Sequence, residues 1–268
     1  MTRLVESDID HISKEIEEYD RKFFQQTGYS MEEIAKIAVG IKNKTTKKKV
    51  AAVPVTSGLG IIGGFSFSVA EILRHCGIEA IVTEKSDVAG IQEAYQSDAE
   101  IVFMSDDDIC AAFCLDKKVQ SDNGYATGIG FAAALHMASG EINNKEVLIL
   151  GAGPVGSAAA AYISDVGGNP VIYDLKYEKS QKLAATLSRS KAISECNELK
   201  QYKYMIDAST SGEFISRDDV SHETIIASPG MPIGVKKEVM DIATVIYNPL
   251  ELGVITMYFH CIRQLEDD

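Results

Sequence analysis

Apolar residues recur along this 268-residue chain first at helical spacing and then in short runs separated by amphipathic stretches. Ile9, Ile12, Ile16 and Tyr19 fall on one helix face with charges between them. Thr27-Gly28 interrupts that pattern, and Ser30-Met-Glu-Glu has the form of a capping box opening a second helix through Ile41. Five lysines between Lys42 and Lys49 then read as a solvated connector. From residue 50 the spacing changes. Apolar runs at Val50–Val55, Ile78–Val82 and Ile101–Met104 alternate with helical stretches ending at Cys76 and covering Ser86–Gln96. Ser105-Asp106-Asp107-Asp108 closes the third run, as the cap of a helix carrying Cys110 and Cys114 four positions apart. A small-residue helix over Asn123–Ser139 leads to a second series. Its strands are expected at Val147–Leu150, Pro170–Asp174, Tyr204–Asp207, Ile225–Ala227 and Thr244–Tyr247, its helices at Pro154–Val166 and Glu178–Leu187, with a closing helix over Leu250–Leu265. Strand, helix, strand with short links predicts parallel sheets joined by right-handed crossovers, so the fold class is α/β in two modules.

Composition narrows the function classes. The balance of 26 basic against 39 acidic residues gives a formal charge of −13, which disfavours nucleic acid or a membrane surface as partner and suits a cationic substrate. The five cysteines form no CxxC pair and the five histidines no metal-ligand spacing, so neither a disulfide framework nor a metal site is expected. The charged N-terminal stretch lacks a signal-peptide core and no run of apolar residues is long enough to span a bilayer, so a cytoplasmic protein is expected.

The second module carries the chemistry most clearly. Val147–Leu150 runs straight into Gly151-Ala-Gly153-Pro154-Val155-Gly156 and an alanine-rich helix. In that pattern the first glycine makes the tight turn, the second lets backbone amides approach a pyrophosphate, and the third lets helix pack on strand, with the helix N-terminus facing the phosphate. Asp174, 23 residues beyond Gly151, stands where a carboxylate accepts from ribose hydroxyls; it repels a 2′-phosphate and favours NAD over NADP, although Lys176 lies close by. The expected organisation is therefore an N-terminal helical and α/β substrate domain over 1–122, a Rossmann NAD-binding domain over 123–249, and a helix over 250–268 packing back on the first.

The first module repeats the spacing as Gly58-Leu-Gly60-Ile-Ile-Gly63, with Glu84 downstream. Pro54-Val-Thr-Ser lengthens the turn between strand and glycines, so Thr56, Ser57 and Gly58 read as hydroxyl and amide donors to a substrate group such as a carboxylate, or as a ligand-free loop. Asp106 is the candidate anchor for a substrate ammonium, by charge-assisted hydrogen bonding. Ser209, Thr210 and Pro229, in loops that end later strands, are expected beside the cofactor's ribose and nicotinamide. No general base stands out; hydride transfer to a nicotinamide needs no side-chain nucleophile.

The order of modules, with Asp122–Phe131 (DNGYATGIGF) ahead of the fingerprint and Asp207-Ala-Ser-Thr-Ser-Gly212 after it, resembles the amino-acid and shikimate dehydrogenase superfamily, without the lysine that shikimate enzymes use. The two N-terminal helices, Pro54–Ser66 (PVTSGLGIIGGFS), Gly151–Gly156, Ser228-Pro-Gly-Met-Pro232 and Asn248-Pro-Leu-Glu-Leu-Gly253 are similar, in this order, to the PylD-type dehydrogenases that complete pyrrolysine biosynthesis. That resemblance implies a dipeptide-like amine substrate, L-lysine-Nε-3R-methyl-D-ornithine, oxidised with NAD at the terminal amine carbon before ring closure. It also implies substrate positioning by Ser57, Gly58 and Asp106, and closure of Leu4, Val5 and Ser7 over the substrate. Two-module dehydrogenases often pair, so a homodimer is among the expectations. The alternatives are a shikimate- or ornithine-type dehydrogenase acting on another metabolite, and a non-catalytic NAD-sensing protein.

Overall fold

The computed structural model describes residues 12–58, 64–196, 198–248 and 250–267. Leu4, Val5 and Ser7, and Gly60 and Gly63 of the first glycine run, lie outside the described residues. Two compact units emerge. Among the described residues, the first holds Ile12–Lys22, Met31–Ala126 and the C-terminal helix; the second holds Phe23–Ser30 and Thr127–Asn248.

The elements of the first unit are α1 (Ile12–Thr27, whose last turn belongs to the second unit), α2 (Met31–Ala38), β1 (Val50–Ala52), α3 (Phe65–His75), β2 (Ala80–Val82), α4 (Asp87–Gln96), β3 (Ile101–Ser105), β4 (Cys110–Cys114), β5 (Gln120–Asp122) and α8 (Glu251–Asp267). Gly28, at φ 78°, ends α1, and the first N–H of α2 donates to the Asp20 carboxylate at 2.9 Å. The sheet order is β2-β1-β3-β4-β5. β2, β1 and β3 are parallel, as the strand-helix-strand pattern predicts, but β4 and β5 run antiparallel.

Cys110 and Cys114 therefore stand on a strand, not on a helix. The reason lies in the preceding aspartates. The Asp106 carboxylate accepts from the N–H groups of Asp108 and Ile109, each at 2.8 Å, and the Asp106 N–H donates to the Ile109 carbonyl at 2.9 Å. The chain thus reverses at once, and the five residues before the next turn suffice for a strand but not for a stable helix. α8 closes the unit as an almost wholly buried helix against α2, α3, β4 and β5, with Leu252, Val254, Ile255, Met257, Tyr258 and Phe259 inaccessible. Each such side chain contributes about 1.5–3 kcal/mol on burial. Polar contacts fix its register: the Tyr258 hydroxyl accepts the Lys48 N–H at 2.8 Å, and Gln264 donates to the Gln120 carbonyl at 2.8 Å.

The second unit contains most of α5 (Asn123–Ser139), then β6 (Glu146–Leu150), α6 (Pro154–Asp165), β7 (Asn169–Tyr173), α7 (Tyr177–Ala184), β8 (Lys191–Ile193), β9 (Tyr204–Asp207), β10 (Ile225–Ala227) and β11 (Thr244–Ile246). All its strand pairs are parallel, in the order β11-β10-β9-β6-β7-β8. Read from the other edge, the third, second and first strands are followed by the fourth, fifth and sixth, so the order reverses beside β6, where open α/β sheets bind dinucleotides. Val147, Leu148 and Ile149 of β6 are fully buried, the continuous apolar run that a strand covered on both faces requires.

Candidate active site

In the second unit the carboxyl end of β6 makes the glycine turn. Gly151 takes φ +100°, a conformation open to glycine, and a Cβ there would also lie 2.7 Å from the Ala208 carbonyl. A Cβ on Gly156 would collide with the Gly151 carbonyl, so strand and helix touch through two glycines. Gly153, in contrast, caps α6 with open space around its missing Cβ, and Pro154 begins the helix. The result is a cradle of unobstructed backbone at the N-terminus of a 12-residue helix, which suits a pyrophosphate in shape and in dipole. The residues present fit a dinucleotide.

Asp174, just beyond β7, has one carboxylate oxygen on the Ala152 N–H at 2.9 Å and the other on the Lys176 N–H at 2.8 Å. The carboxylate is therefore oriented by the glycine turn itself. It also retains lone pairs for hydroxyl donors, since two oxygens offer about four acceptor sites.

On the other side of β6, the carboxyl ends of β9 and β10 bring Ser209, Thr210 and Pro229 to the same edge of the sheet, where the sequence places them. The loops that carry Ser209 and Pro229 are tied to Asp207, whose carboxylate is wholly buried and accepts four hydrogen bonds, from Ser209, Ser228 and Gly234. One oxygen takes the Ser209 N–H (3.2 Å) and O–H (2.7 Å); the other takes the Ser228 O–H and the Gly234 N–H, both at 3.0 Å. Burial raises the Asp207 pKa above the usual carboxylate range while these four donors pull against it. Sequence reasoning passes over Asp207 and Ser228 in this role. The available signal was an acidic residue ending the apolar run Tyr204-Met-Ile-Asp207.

In the first unit the corresponding edge is built differently. Thr56, Ser57 and Gly58 follow β1 and are exposed, and Asp106 and Asp107 follow the adjacent parallel strand β3. Asp87, at the start of α4, accepts the Thr56 N–H at 2.9 Å and its O–H at 2.6 Å, bonds that hold the Asp87 carboxyl below the usual range. Gly58 has φ +69°, and a Cβ on it would strike the carboxylate of Asp107. Asp107, rather than Asp106, thus lies over the glycine turn. Asp106 is exposed and closes its own hairpin, and the N–H groups of Ile109 and Asp108 hold its carboxyl below the usual range. Glu84 is exposed, and its N–H donates to Glu93 at 2.9 Å. Asp122 ends β5 along the same edge and accepts the Tyr125 N–H at 2.9 Å, capping α5. No group of three or more histidine, cysteine, aspartate or glutamate side chains among the described residues could hold a metal ion.

Comparison with known proteins places this architecture. Residues 8–121 match the model for the N-terminal domain of the pyrrolysine biosynthesis protein PylD. The chain is also similar to the pyrrolysine synthase of Methanosarcina acetivorans, with 29% identity over 265 residues covering 97% of this chain and 99% of the other. Similarity to the pyrrolysine synthase of Methanosarcina barkeri is 29% over 263 residues, covering 97% of each. Among solved structures, this chain is similar to shikimate dehydrogenase from Aquifex aeolicus, with a TM-score of 0.52, 11% identity and coverage of 84% of this chain and 99% of that one. It is likewise similar to quinate dehydrogenase from Corynebacterium glutamicum in complex with NAD, with a TM-score of 0.53, 11% identity and coverage of 81% and 98%. At such identity the likeness shows a shared fold, and that fold is the one the two glycine-bearing modules predict.

Proposed function

We propose that this protein is a member of the PylD family and catalyses the last step of pyrrolysine biosynthesis, the nicotinamide-dependent oxidation of L-lysine-Nε-3R-methyl-D-ornithine at its terminal amine carbon, followed by closure of the pyrroline ring. Similarity along nearly the whole chain to relatives named pyrrolysine synthase supports this reading, and a complete dinucleotide cradle in the second unit gives it a chemical basis. When bound, NAD+ supplies the hydride acceptor. Gly151, Gly153, Pro154, Val155 and Gly156 hold the pyrophosphate, and Asp174 accepts from the adenosine ribose. A carboxylate at that point repels a 2′-phosphate, so the cofactor is NAD rather than NADP. Ser209, Thr210 and Pro229 border the nicotinamide half.

The substrate is an amino-acid derivative with ammonium and carboxylate groups, and the first unit's edge offers partners for both. Ser57 and the Gly58 turn supply hydroxyl and N–H donors, while Asp106 and Asp107 supply carboxylates. The terminal ammonium gives up a proton, and the carbon that bears the amine then gives up a hydride and becomes an iminium carbon. The ornithine α-amine attacks that carbon directly and ammonia leaves as the ring closes, or water first releases ammonia to give the aldehyde and water leaves when the α-amine closes the ring. Holding the chain folded so that the α-amine meets the electrophile is worth several kcal/mol as a proximity effect, of order 7–11 at its best.

Incubation with NAD+ or NADP+ and lysyl-methylornithine, following nicotinamide absorbance and product mass, tests the reading. Reduction of NAD+ with formation of pyrrolysine is expected. Reduction with a different amine or hydroxy acid alone, or binding without turnover on any candidate, contradicts it.

A further inference from the structure

Asp207 is a costly residue for its place. Its register partner in β6 is Leu150, 3% exposed, and an apolar side chain would serve a strand end between two buried strands at least as well for stability. Instead the chain buries a carboxylate and then spends four donors from three separate segments on it: Ser209 after β9, Ser228 after β10, and Gly234 further on. Its backbone carbonyl takes a fifth, from the Gly230 N–H at 2.9 Å. Two of the segments tied in this way, around Ser209 and Pro229, stand at the carboxyl edge of the sheet on the side of β6 away from Asp174. A dinucleotide laid across β6 with its adenosine towards Asp174 puts its nicotinamide half on the β9 and β10 side.

We propose that Asp207 is a positioning residue for the nicotinamide half of the cofactor, acting through the Ser209 and Ser228-Pro229-Gly230 loops without touching the nucleotide. The proposal rests on the dinucleotide reading of the second unit and goes beyond it by dividing the site. The glycine turn and Asp174 grip the adenosine and phosphates, and the Asp207 web sets the angle and distance at which hydride is received. A buried acceptor is the one group that four convergent donors require; an amide in its place turns a donor towards the Ser228 hydroxyl and the Gly234 N–H.

The test compares wild type, Asp207→Asn and Ser228→Ala for binding of ADP and of NAD+ by calorimetry, and for turnover of lysyl-methylornithine. ADP samples the glycine turn and Asp174 alone, so it reports that the unit is folded. Ser228 is wholly buried, so its hydroxyl reaches only the web and not the ligand. In Asp207→Asn, kcat is expected to fall by about tenfold or more and NAD+ to bind several-fold more weakly, with ADP affinity held within about twofold. Ser228→Ala, which removes one of the four bonds, is expected to shift the same quantities in the same direction by about two- to fivefold. If Asp207→Asn fails to fold, the Ser228→Ala result decides. Equal weakening of ADP and NAD+ would show a purely structural role and overturn the proposal, as would wild-type kcat and NAD+ affinity in both variants. A wild type that binds neither nucleotide overturns the dinucleotide reading first, and this proposal with it.

Discussion

Two glycine runs of the same spacing follow two parallel strands in this protein, one after β1 and one after β6. Gly58 of the first and Gly153 of the second have opposite surroundings. After β6 the middle glycine, Gly153, faces open space at a helix N-terminus. After β1, Gly58 is covered by the Asp107 carboxylate, Thr56 is held by Asp87, and Asp106 sits in the neighbouring turn. One edge presents partial positive charge and suits a pyrophosphate, whereas the other presents carboxylates and suits an ammonium. Glycine spacing alone therefore does not define a dinucleotide site; what stands over the glycines decides the charge of the ligand.

The largest effect expected from this contrast comes from Gly156→Val. Its side chain would be driven into the Gly151 carbonyl, which cannot move without parting β6 from α6, and NAD+ affinity should drop by about a hundredfold or more. Calorimetry on the soluble variant checks this, and retained binding would mean that the turn can open. Gly153→Ala is the sharper probe because its φ is −82° and nothing lies near the added methyl. Thermal stability should stay within about 0.5 kcal/mol of wild type while NAD+ binds roughly tenfold more weakly, because the methyl fills the space of the approaching phosphate.

Gly58→Ala in the other turn should leave NAD+ binding alone. Its methyl displaces the Asp107 carboxylate, so the KM for lysyl-methylornithine should rise several-fold, by about 1 kcal/mol of lost binding. Asp174→Asn should weaken NAD+ several-fold and narrow its advantage over NADP+, because the repelling charge is gone while the bond from Ala152 persists. Parallel titrations with the two nucleotides read this out, and an unchanged preference would remove Asp174 from the ribose site.

The smallest effect concerns pH. Burial holds His136 of the second unit and His260 of the first below the usual histidine range, and at His260 the Asp122 carboxylate pulls the other way. A depressed folded pKa means that the unfolded chain binds the proton more readily. The contribution to stability is therefore complete above the unfolded value of about 6.5 and is lost as pH falls through the folded value. Melting between about pH 7.5 and 5.5 should show stability decreasing on acidification, with a shallower slope for His136→Asn, whose histidine has no carboxylate offset. An unchanged slope would place the loss elsewhere.

The β6 turn was legible in the sequence because every part of it is local. An apolar strand, three glycines and a helix follow one another without a break, and Asp174 stands just after the very next strand. The β1 turn was half legible. Its position follows from the strand pattern, but the carboxylate over Gly58 comes from Asp107, 49 residues away, and nothing in three consecutive aspartates says which one reaches back. Asp207 was hidden for the same reason, since its partners Ser228 and Gly234 are 21 and 27 residues distant and meet it only once the sheet has formed. The β4 strand was misread because Cys-Ala-Ala-Phe-Cys has no alternation to separate strand from helix. β5 and β8 are three-residue strands at sheet edges, too short to leave a pattern.

The contrast between the two turns is tested most directly by titrating NAD+ into wild type, Gly153→Ala and Gly58→Ala under one set of conditions. Clear weakening in Gly153→Ala with wild-type affinity in Gly58→Ala is the predicted result. Weakening in Gly58→Ala with none in Gly153→Ala would place the cofactor on the other turn and reverse the assignment of the two units.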